Sequence, residues 1–223
     1  MVDRKAKPGG HGAAGVVLAA LALGAFALLY RAVRSGRSAR LDHRATIAIQ
    51  RRDHPVFDAL MNLVSWPGFP PQSRIIPALL AVAWLIAGKP LEALFQLLGW
   101  GTGLLSFLVK RSMRRPRPSH PEIRVREARI GGTSFPSGHV IIYTGVYGTL
   151  ARLLTWDQPV TVPRRLAALL LWTLVALVGP SRMYLGHHFL TDITASYLLG
   201  GTWVFLLMRA YGAARRRLAS RFS

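Results

Sequence analysis

Uncharged stretches alternate with basic, polar segments along this chain of 223 residues. A helix that crosses the hydrocarbon core of a bilayer needs about 20 mostly apolar residues, with a range of about 17–25. Residues 12–30 form 19 consecutive positions without a charge, and basic residues flank them on both sides. Arg31, Arg34 and Arg37 follow where a signal peptide would have its small-residue cleavage site. The pattern therefore predicts a retained transmembrane helix at the beginning of the chain.

Five further apolar stretches follow the first one. They cover residues 75–88, 93–109, 140–151, 166–181 and 193–208, and the third of these extends to residue 156 if Arg152 reaches the membrane surface. Six such stretches leave too little polar chain to cover them in water. The sequence predicts an all-α fold, a six-transmembrane helix bundle in a single integral membrane domain over residues 1–223.

The connections between the stretches differ in length. Residues 33–71 are rich in Arg and carry an apolar patch at helical spacing, formed by Phe57, Leu60, Met61 and Val64. That patch either lies in the membrane interface or packs on the bundle. Residues 110–139 form a polar loop of about 30 residues, far longer than a usual helix–helix connection, so we expect it to carry function. The basic tail, 209–223, is expected at the membrane surface.

Charge and composition narrow the function. The chain has 29 Lys plus Arg against 9 Asp plus Glu, a net charge of +20, and no cysteine. Such basicity is typical of proteins that bind nucleic acid, an anionic membrane or a phosphate-bearing substrate. Nucleic acid is disfavoured because the cations flank membrane spans. Missing thiols exclude a disulfide framework and a Cys-ligated zinc site, and nine scattered carboxylates argue against a carboxylate-bridged two-metal centre.

Three polar clusters stand at the ends of the predicted spans. They are residues 110–118 after the third span, 131–139 before the fourth, and 181–192 between the fifth and the sixth. If the spans cross the membrane in order, the loops after spans three and five emerge on the same face. The three clusters are therefore predicted to meet.

The residue types in these clusters suit a phosphate. Arg guanidinium groups and Lys bind phosphate oxygens, and the backbone N–H groups of Ser137 and Gly138 would face an anion at a helix start. His139 could donate a proton to a leaving oxygen. His188 and Asp192, at i and i+4, share a helix face, so the carboxylate could orient the imidazole. Each feature alone also has a structural explanation, as a solvated Arg, a helix cap or a satisfied polar pair. The functional hypothesis depends on all three clusters occurring together.

The three clusters together resemble a family signature. They read Lys110-x6-Arg117-Pro118, then Pro136-Ser137-Gly138-His139, then Ser181-Arg182-x5-His188-x3-Asp192. This order is similar to the three-part signature of the type 2 phosphatidic acid phosphatase (PAP2) superfamily, which includes membrane lipid phosphatases and the haloperoxidases that share their pocket. The resemblance covers about residues 55–210. It implies a PAP2/haloperoxidase-like catalytic core within the helix bundle.

The resemblance also implies a role for each matching residue. His188 would attack phosphorus and form a phosphohistidine, His139 would be the general acid and then the base, and Asp192 would orient His188. The phosphate would be bound by Lys110, Arg117, Ser137, Gly138 and Arg182. No metal and no cofactor is implied, and His187, which lies outside the signature, has no role.

The implied activity is that of a membrane lipid phosphatase. Its substrate would be a lipid phosphate or diphosphate of the undecaprenyl diphosphate, phosphatidylglycerol phosphate or phosphatidic acid type, and membrane lipids would surround it. A lipid phosphotransferase, or a non-enzymatic lipid-phosphate binding protein, is the alternative.

The implied orientation conflicts with the charge distribution. The resemblance implies a bacterial cytoplasmic membrane protein with its N-terminus inside and the site on the outer face. That orientation leaves 12 of the 29 basic residues inside and 17 outside, which is opposite to the positive-inside rule. Part of the outer excess would be phosphate ligands, and a further set would attract anionic headgroups: Arg111, Arg114, Arg115, Arg124, Arg126 and Arg129.

Overall fold

A computed structural model of the chain describes residues 13–126 and 131–220, and within these ranges the fold is built from nine α-helices. In chain order they are α1 (Ala13–Arg34), α2 (Ala39–Gln50), α3 (Pro55–Ser65), α4 (Gln72–Ile86), α5 (Pro90–Trp100), α6 (Thr102–Met113), α7 (Gly138–Leu154), α8 (Val162–Tyr184) and α9 (Leu190–Ala219). A short 3-10 turn, Trp66–Gly68, follows α3. The all-α prediction is confirmed.

Helix boundaries follow local sequence signals. Pro55 and Pro90 occupy the first turns of α3 and α5, where a missing N–H costs nothing. His54 caps α3 by accepting a hydrogen bond from the Val56 N–H at 3.2 Å. At the start of α9, the Asp192 carboxylate accepts the Phe189 N–H at 2.9 Å. These caps set the starts of α3 and α9.

The predicted count of six membrane spans is only partly reproduced. Within the described residues, four helices or continuous helix pairs are long and apolar enough to cross a membrane: α1, α5 with α6, α8 and α9. The segment Pro55–Gly68 and helix α4 qualify as a fifth only as one broken span, with a bend of 63° between them. The fourth predicted span, α7, has only 17 residues, about 25 Å of helix.

Helix α7 forms the centre of the bundle. Eleven of its residues are buried, and it packs against α5, α8 and α9. Glycines allow the closest approach: a Cβ on Gly145 would overlap the Gly99 carbonyl of α5 and the Thr102 side chain. By contrast, the apolar faces of α1 and α4 remain exposed, as expected of helix faces in contact with lipid. The protein is thus an integral membrane protein with a buried central helix.

Helices occupy parts of the predicted polar segments. Residues 39–50 and 55–65, within the long first connection, form α2 and α3. Met61 and Val64 of the apolar patch pack in the core, whereas Leu60 is exposed. The patch therefore packs on the bundle through Met61 and Val64, and Leu60 remains on the surface. Residues 209–219 of the basic tail continue α9. Residues 221–223 lie outside the described residues.

Candidate functional site

The three polar clusters meet at one end of the bundle. The Lys110 Nζ donates to the Thr133 carbonyl at 2.7 Å, which joins the first cluster to the second. One Arg117 guanidinium nitrogen donates to the His187 carbonyl at 2.9 Å and lies 3.2 Å from His188 Nε2, which joins the first to the third. The site therefore forms between the ends of α6, α7, α8 and α9.

His188 is held as a neutral imidazole with one nitrogen directed at a cation. The side chain is 2% exposed, and its Nδ1–H donates to the Ser134 carbonyl at 2.8 Å. Nε2 consequently carries the lone pair and accepts from Arg117. Burial, reinforced by the charges of Arg117 and Arg182, lowers the pKa of His188 well below its usual range. A neutral imidazole with an available Nε2 is the form required of a nucleophile.

Arg182 is fully buried beside the site. One of its nitrogens donates to Ser65 Oγ at 3.0 Å, the other contacts His187 Nδ1, and its guanidinium lies 5.0 Å from the centre of the Phe69 ring. The His187 Nε2–H donates to the Arg126 carbonyl at 3.0 Å. Burial and the charge of Arg182 lower the pKa of His187 to about 3. His187, which the signature leaves without a role, is thus a neutral hydrogen-bonding partner that helps to fix Arg182.

The start of α7 presents polar atoms without a protein partner. Ser137 Oγ and His139 Nε2 are buried and make no hydrogen bond within the described residues. A Cβ on Gly138 would meet open space. The His139 ring packs directly on the backbone of Gly68, where a Cβ would overlap it, and lies 4.7 Å from the Phe69 ring. Unpartnered buried polar atoms are costly, so this helix start is suited to a polar ligand.

A buried ion-pair network supports the site from behind. Arg115 donates to Asp192 Oδ1 and to Asp42 Oδ2, both at 2.6 Å, and both carboxylates are fully buried. Asp42 also accepts the Thr191 N–H at 2.9 Å and the Thr191 hydroxyl at 2.8 Å. The other Asp192 oxygen, Oδ2, lies 3.5 Å from His188 Nδ1. The carboxylate is therefore near the imidazole, but its strongest partner is Arg115.

This network corrects an expectation about Arg115. That residue is not an exposed attractor of anionic headgroups: its side chain is 12% exposed and neutralises two buried carboxylates. Burying Asp192 requires a compensating charge, and the sequence indicates His188 because the two residues share a helix face at i and i+4. Asp42, Ser65 and Ser134 were missed because no local motif marks them.

The other proposed headgroup ligands divide into three groups. Arg124 pairs with Asp53, and Arg126 pairs with Asp53 and Asp58, so these two are structural ion pairs as well. Arg111 and Arg114 are exposed, as a headgroup contact requires. Arg129 lies outside the described residues.

Similarity to known proteins agrees with this geometry. The family model described as the PAP2 superfamily matches residues 91–216. Phosphatidylglycerophosphatase B of Bacillus subtilis is 34% identical over 121 residues, which are 53% of this chain and 58% of that protein. Lipid A 4'-phosphatase of Porphyromonas gingivalis is 30% identical over 187 residues, 74% of this chain and 70% of that protein.

A third relative and two solved structures extend the comparison. Decaprenylphosphoryl-5-phosphoribose phosphatase of Mycobacterium tuberculosis is 29% identical over 138 residues, 62% of this chain and 66% of that protein. The transmembrane PAP2 type phosphatidylglycerolphosphate phosphatase of Bacillus subtilis has the same fold, with a TM-score of 0.75 at 24% identity, over 85% of this chain and 94% of that one. Aquifex aeolicus LpxE shares the fold with a TM-score of 0.60 at 19% identity, over 76% and 95% of the two chains.

The matched region decides the family. It covers more than half of the chain, and it includes Lys110, His139 and His188, one residue from each of the three clusters that meet in the structure. This chain belongs to the PAP2 superfamily.

Proposed function

We propose that this protein is a lipid phosphatase that hydrolyses a phosphate monoester or diphosphate of a membrane lipid through a phosphohistidine on His188. The observation that carries the proposal is the environment of His188, which is buried, lies 2.8 Å through Nδ1 from the Ser134 carbonyl and is directed through Nε2 towards Arg117. Ser137 Oγ and His139 Nε2 at the same end of the bundle have no hydrogen-bond partner among the residues that the structure describes. A nucleophile, a cation and unpartnered groups thus lie together.

Phosphate binding begins with the cations. Lys110, Arg117 and Arg182 would bind the phosphate oxygens, with the backbone N–H of Gly138 and the Ser137 hydroxyl at the start of α7. A phosphate monoester carries about −1.5 to −2 at neutral pH. The cations would offset that charge and stabilise the oxygens further in the in-line transition state.

The reaction then proceeds in two displacements. His188 Nε2 attacks phosphorus and forms the P–N bond while the bond from phosphorus to the leaving oxygen breaks, and His139 donates a proton to that oxygen. In the second step water attacks the phosphohistidine, His139 takes the proton, and inorganic phosphate leaves. Asp192 Oδ2, 3.5 Å from Nδ1, would stabilise the positive charge that His188 acquires.

The substrate class follows from the named relatives and the membrane location. The three relatives act, by name, on phosphatidylglycerophosphate, on a decaprenyl phosphoribose phosphate and on lipid A. Their common feature is a phosphate attached to a lipid. We therefore propose a substrate of the undecaprenyl diphosphate, phosphatidylglycerol phosphate or phosphatidic acid type.

We also propose six membrane spans with the site on the outer face. The broken segment of α3 with α4 supplies the fifth span. Helix α7, short but surrounded by other helices, supplies the sixth, since a central helix need not match the lipid thickness itself. A topology reporter fused after Ser223 should read as cytoplasmic; a periplasmic reading would overturn this orientation.

Phosphate release from a panel of lipid phosphates tests the activity. The purified wild type should release phosphate with and without a chelator, and His188→Ala should not. His54→Asn, which replaces an exposed histidine but keeps a helix-capping side chain, is the matched control. Substantial release by His188→Ala would contradict the proposal, as would a strict requirement for added metal. Transfer of phosphate to an added lipid alcohol in place of water would identify a phosphotransferase instead.

A further inference from the structure

Two histidines and a glutamate form a cluster outside the catalytic site. His43 lies on α2, and His120 and Glu122 lie in the connection after α6, 77 and 79 positions further along the chain. His43 Nε2 is 3.0 Å from Glu122 Oε2, and His120 Nδ1 is 3.6 Å from the same oxygen. The two imidazole rings meet edge to face with centroids 4.3 Å apart.

These distances fit a single transition-metal ion. One ligand atom from each residue lies within 4.8 Å of the other two. A tetrahedral zinc ion with bonds of about 2.0–2.2 Å sets its ligand atoms about 3.3–3.6 Å apart, which is within a few tenths of an ångström of both contacts to Glu122. Two imidazoles and one carboxylate are a ligand set typical of zinc, with a fourth position for water.

The local backbone already brings two of the ligands together. The Ile123 N–H donates to the His120 carbonyl at 2.9 Å, which closes a turn around Glu122. The Glu122 N–H contacts His120 Nδ1 at 3.3 Å, a long hydrogen bond that metal binding at Nδ1 would replace. Preorganisation of this kind reduces the entropy lost when a ligand binds.

Glu122 pairs with histidines, whereas most paired carboxylates of this basic chain bind arginines. With 25 Arg available, the carboxylates Asp42, Asp53, Asp157 and Asp192 each pair with an arginine. Within the described ranges, the ion pairs of Glu122 are instead made only with His43 and His120. Their side chains are 31% and 52% exposed, and that of Glu122 is 62% exposed, so an ion can enter from solvent.

We propose that His43, His120 and Glu122 form a zinc site that fastens α2 to the connection carrying the phosphate-binding Arg117. The neighbouring residue Asp42 makes a second link between the same two segments through Arg115. Zinc that binds the folded chain shifts the unfolding equilibrium towards it. The metal has no part in phosphoryl transfer; it stabilises the segment that positions the cations.

Zinc binding by the full-length protein without a histidine tag tests the proposal directly. After chelation and removal of the chelator, the wild type should bind one Zn²⁺ per chain by calorimetry and should not bind Mg²⁺, because imidazole ligands favour zinc. The variants His43→Ala, His120→Ala and Glu122→Gln should bind zinc at least about tenfold more weakly, by comparison with the effects of metal-site supporting residues. His54→Asn should bind like the wild type.

Unfolding temperature gives a second readout that is independent of activity. Zinc should raise it for the wild type and His54→Asn but not for the double variant His43→Ala/His120→Ala. A double variant that is monodisperse in detergent and still binds one Zn²⁺ with wild-type affinity would overturn the site. So would a wild type that binds no zinc. Failure of the phosphatase proposal would leave these binding results unchanged, so the two proposals fail separately.

Discussion

Two groups of cations at the polar end of the bundle differ in their partners. Lys110 and Arg117 in the site contact backbone carbonyls and an imidazole, which leave their charge uncompensated. Arg115 and Arg126, only a few residues along the same connection, bind carboxylates. The sequence presents them as one run of basic residues. The difference teaches that a cation bound to neutral groups retains its charge for an anionic substrate, whereas one bound to carboxylates serves the fold.

Removal of the nucleophile should have the largest effect. His188→Ala removes the proposed nucleophile, so turnover should fall by about 10⁴-fold or more while the protein still inserts in the membrane and stays monodisperse. Phosphate release measured beside the His54→Asn control checks this. Activity within tenfold of the wild type would show that the site uses another nucleophile.

Loss of a cation from the first group should reduce activity without unfolding the protein. Arg117→Ala removes a proposed phosphate-binding donor, and kcat/KM should fall by about 10²–10³-fold. The unfolding temperature should change little, because the partners of Arg117 are carbonyls and the His188 ring. A variant that keeps its kcat/KM but unfolds more easily would place Arg117 in the structural group.

Loss of a cation from the second group should do the opposite. Arg115→Ala leaves Asp42 and Asp192 buried without their shared partner, which should cost about 3–5 kcal/mol of folding free energy. Unfolding in detergent, compared with the exposed control Arg111→Ala, measures this cost. Equal stability of the two variants would remove the basis for separating the groups.

A smaller effect is expected in the pH dependence of His188 protonation. Its pKa is lowered, so the neutral form should persist below the usual histidine value of about 6.5, and the ring should still be neutral at pH 5.5. An unperturbed histidine would be about 90% protonated at that pH. NMR of labelled histidine between pH 5 and 8, with His188→Ala to assign the signal, distinguishes the two. Titration near pH 6.5 would contradict the burial argument.

The smallest effect is expected at an exposed ion pair. Asp53 pairs with Arg124 and Arg126 but is exposed, so solvent and salt screen the interaction even though both arginines lower the pKa of its carboxyl. Asp53→Asn should leave both activity and unfolding temperature unchanged within error. A clear loss of stability would show that surface pairs also contribute to holding the connection.

The residues of the candidate site were easier to predict from the sequence than the residues that hold them in place. Short sequence motifs identified four of them, Lys110, Arg117, His139 and His188. The order of the spans then predicts that these motifs lie on one face of the membrane. Asp42 and Ser65 were not identified, because their partners Arg115 and Arg182 lie 73 and 117 positions away and the pairing arises only on folding.

Prediction of the membrane spans was limited in the same way, because contacts between distant segments form only on folding. The six apolar stretches located α1 and α4 to α9, but they did not show α2 or the bend between α3 and α4. They also did not show that the short helix α7 is surrounded by other helices. The bend and the surroundings of α7 depend on packing between helices, which the hydrophobic pattern of one segment does not record.

The phosphoenzyme itself is the most direct test of the central claim. Wild-type protein mixed with a ³²P-labelled lipid phosphate and quenched in alkali, where phosphohistidine survives, should carry label on the peptide that contains His188, attached at Nε2. His188→Ala should carry none. Label on any other residue, or rapid phosphate release with no labelled enzyme at any quench time, would contradict the account.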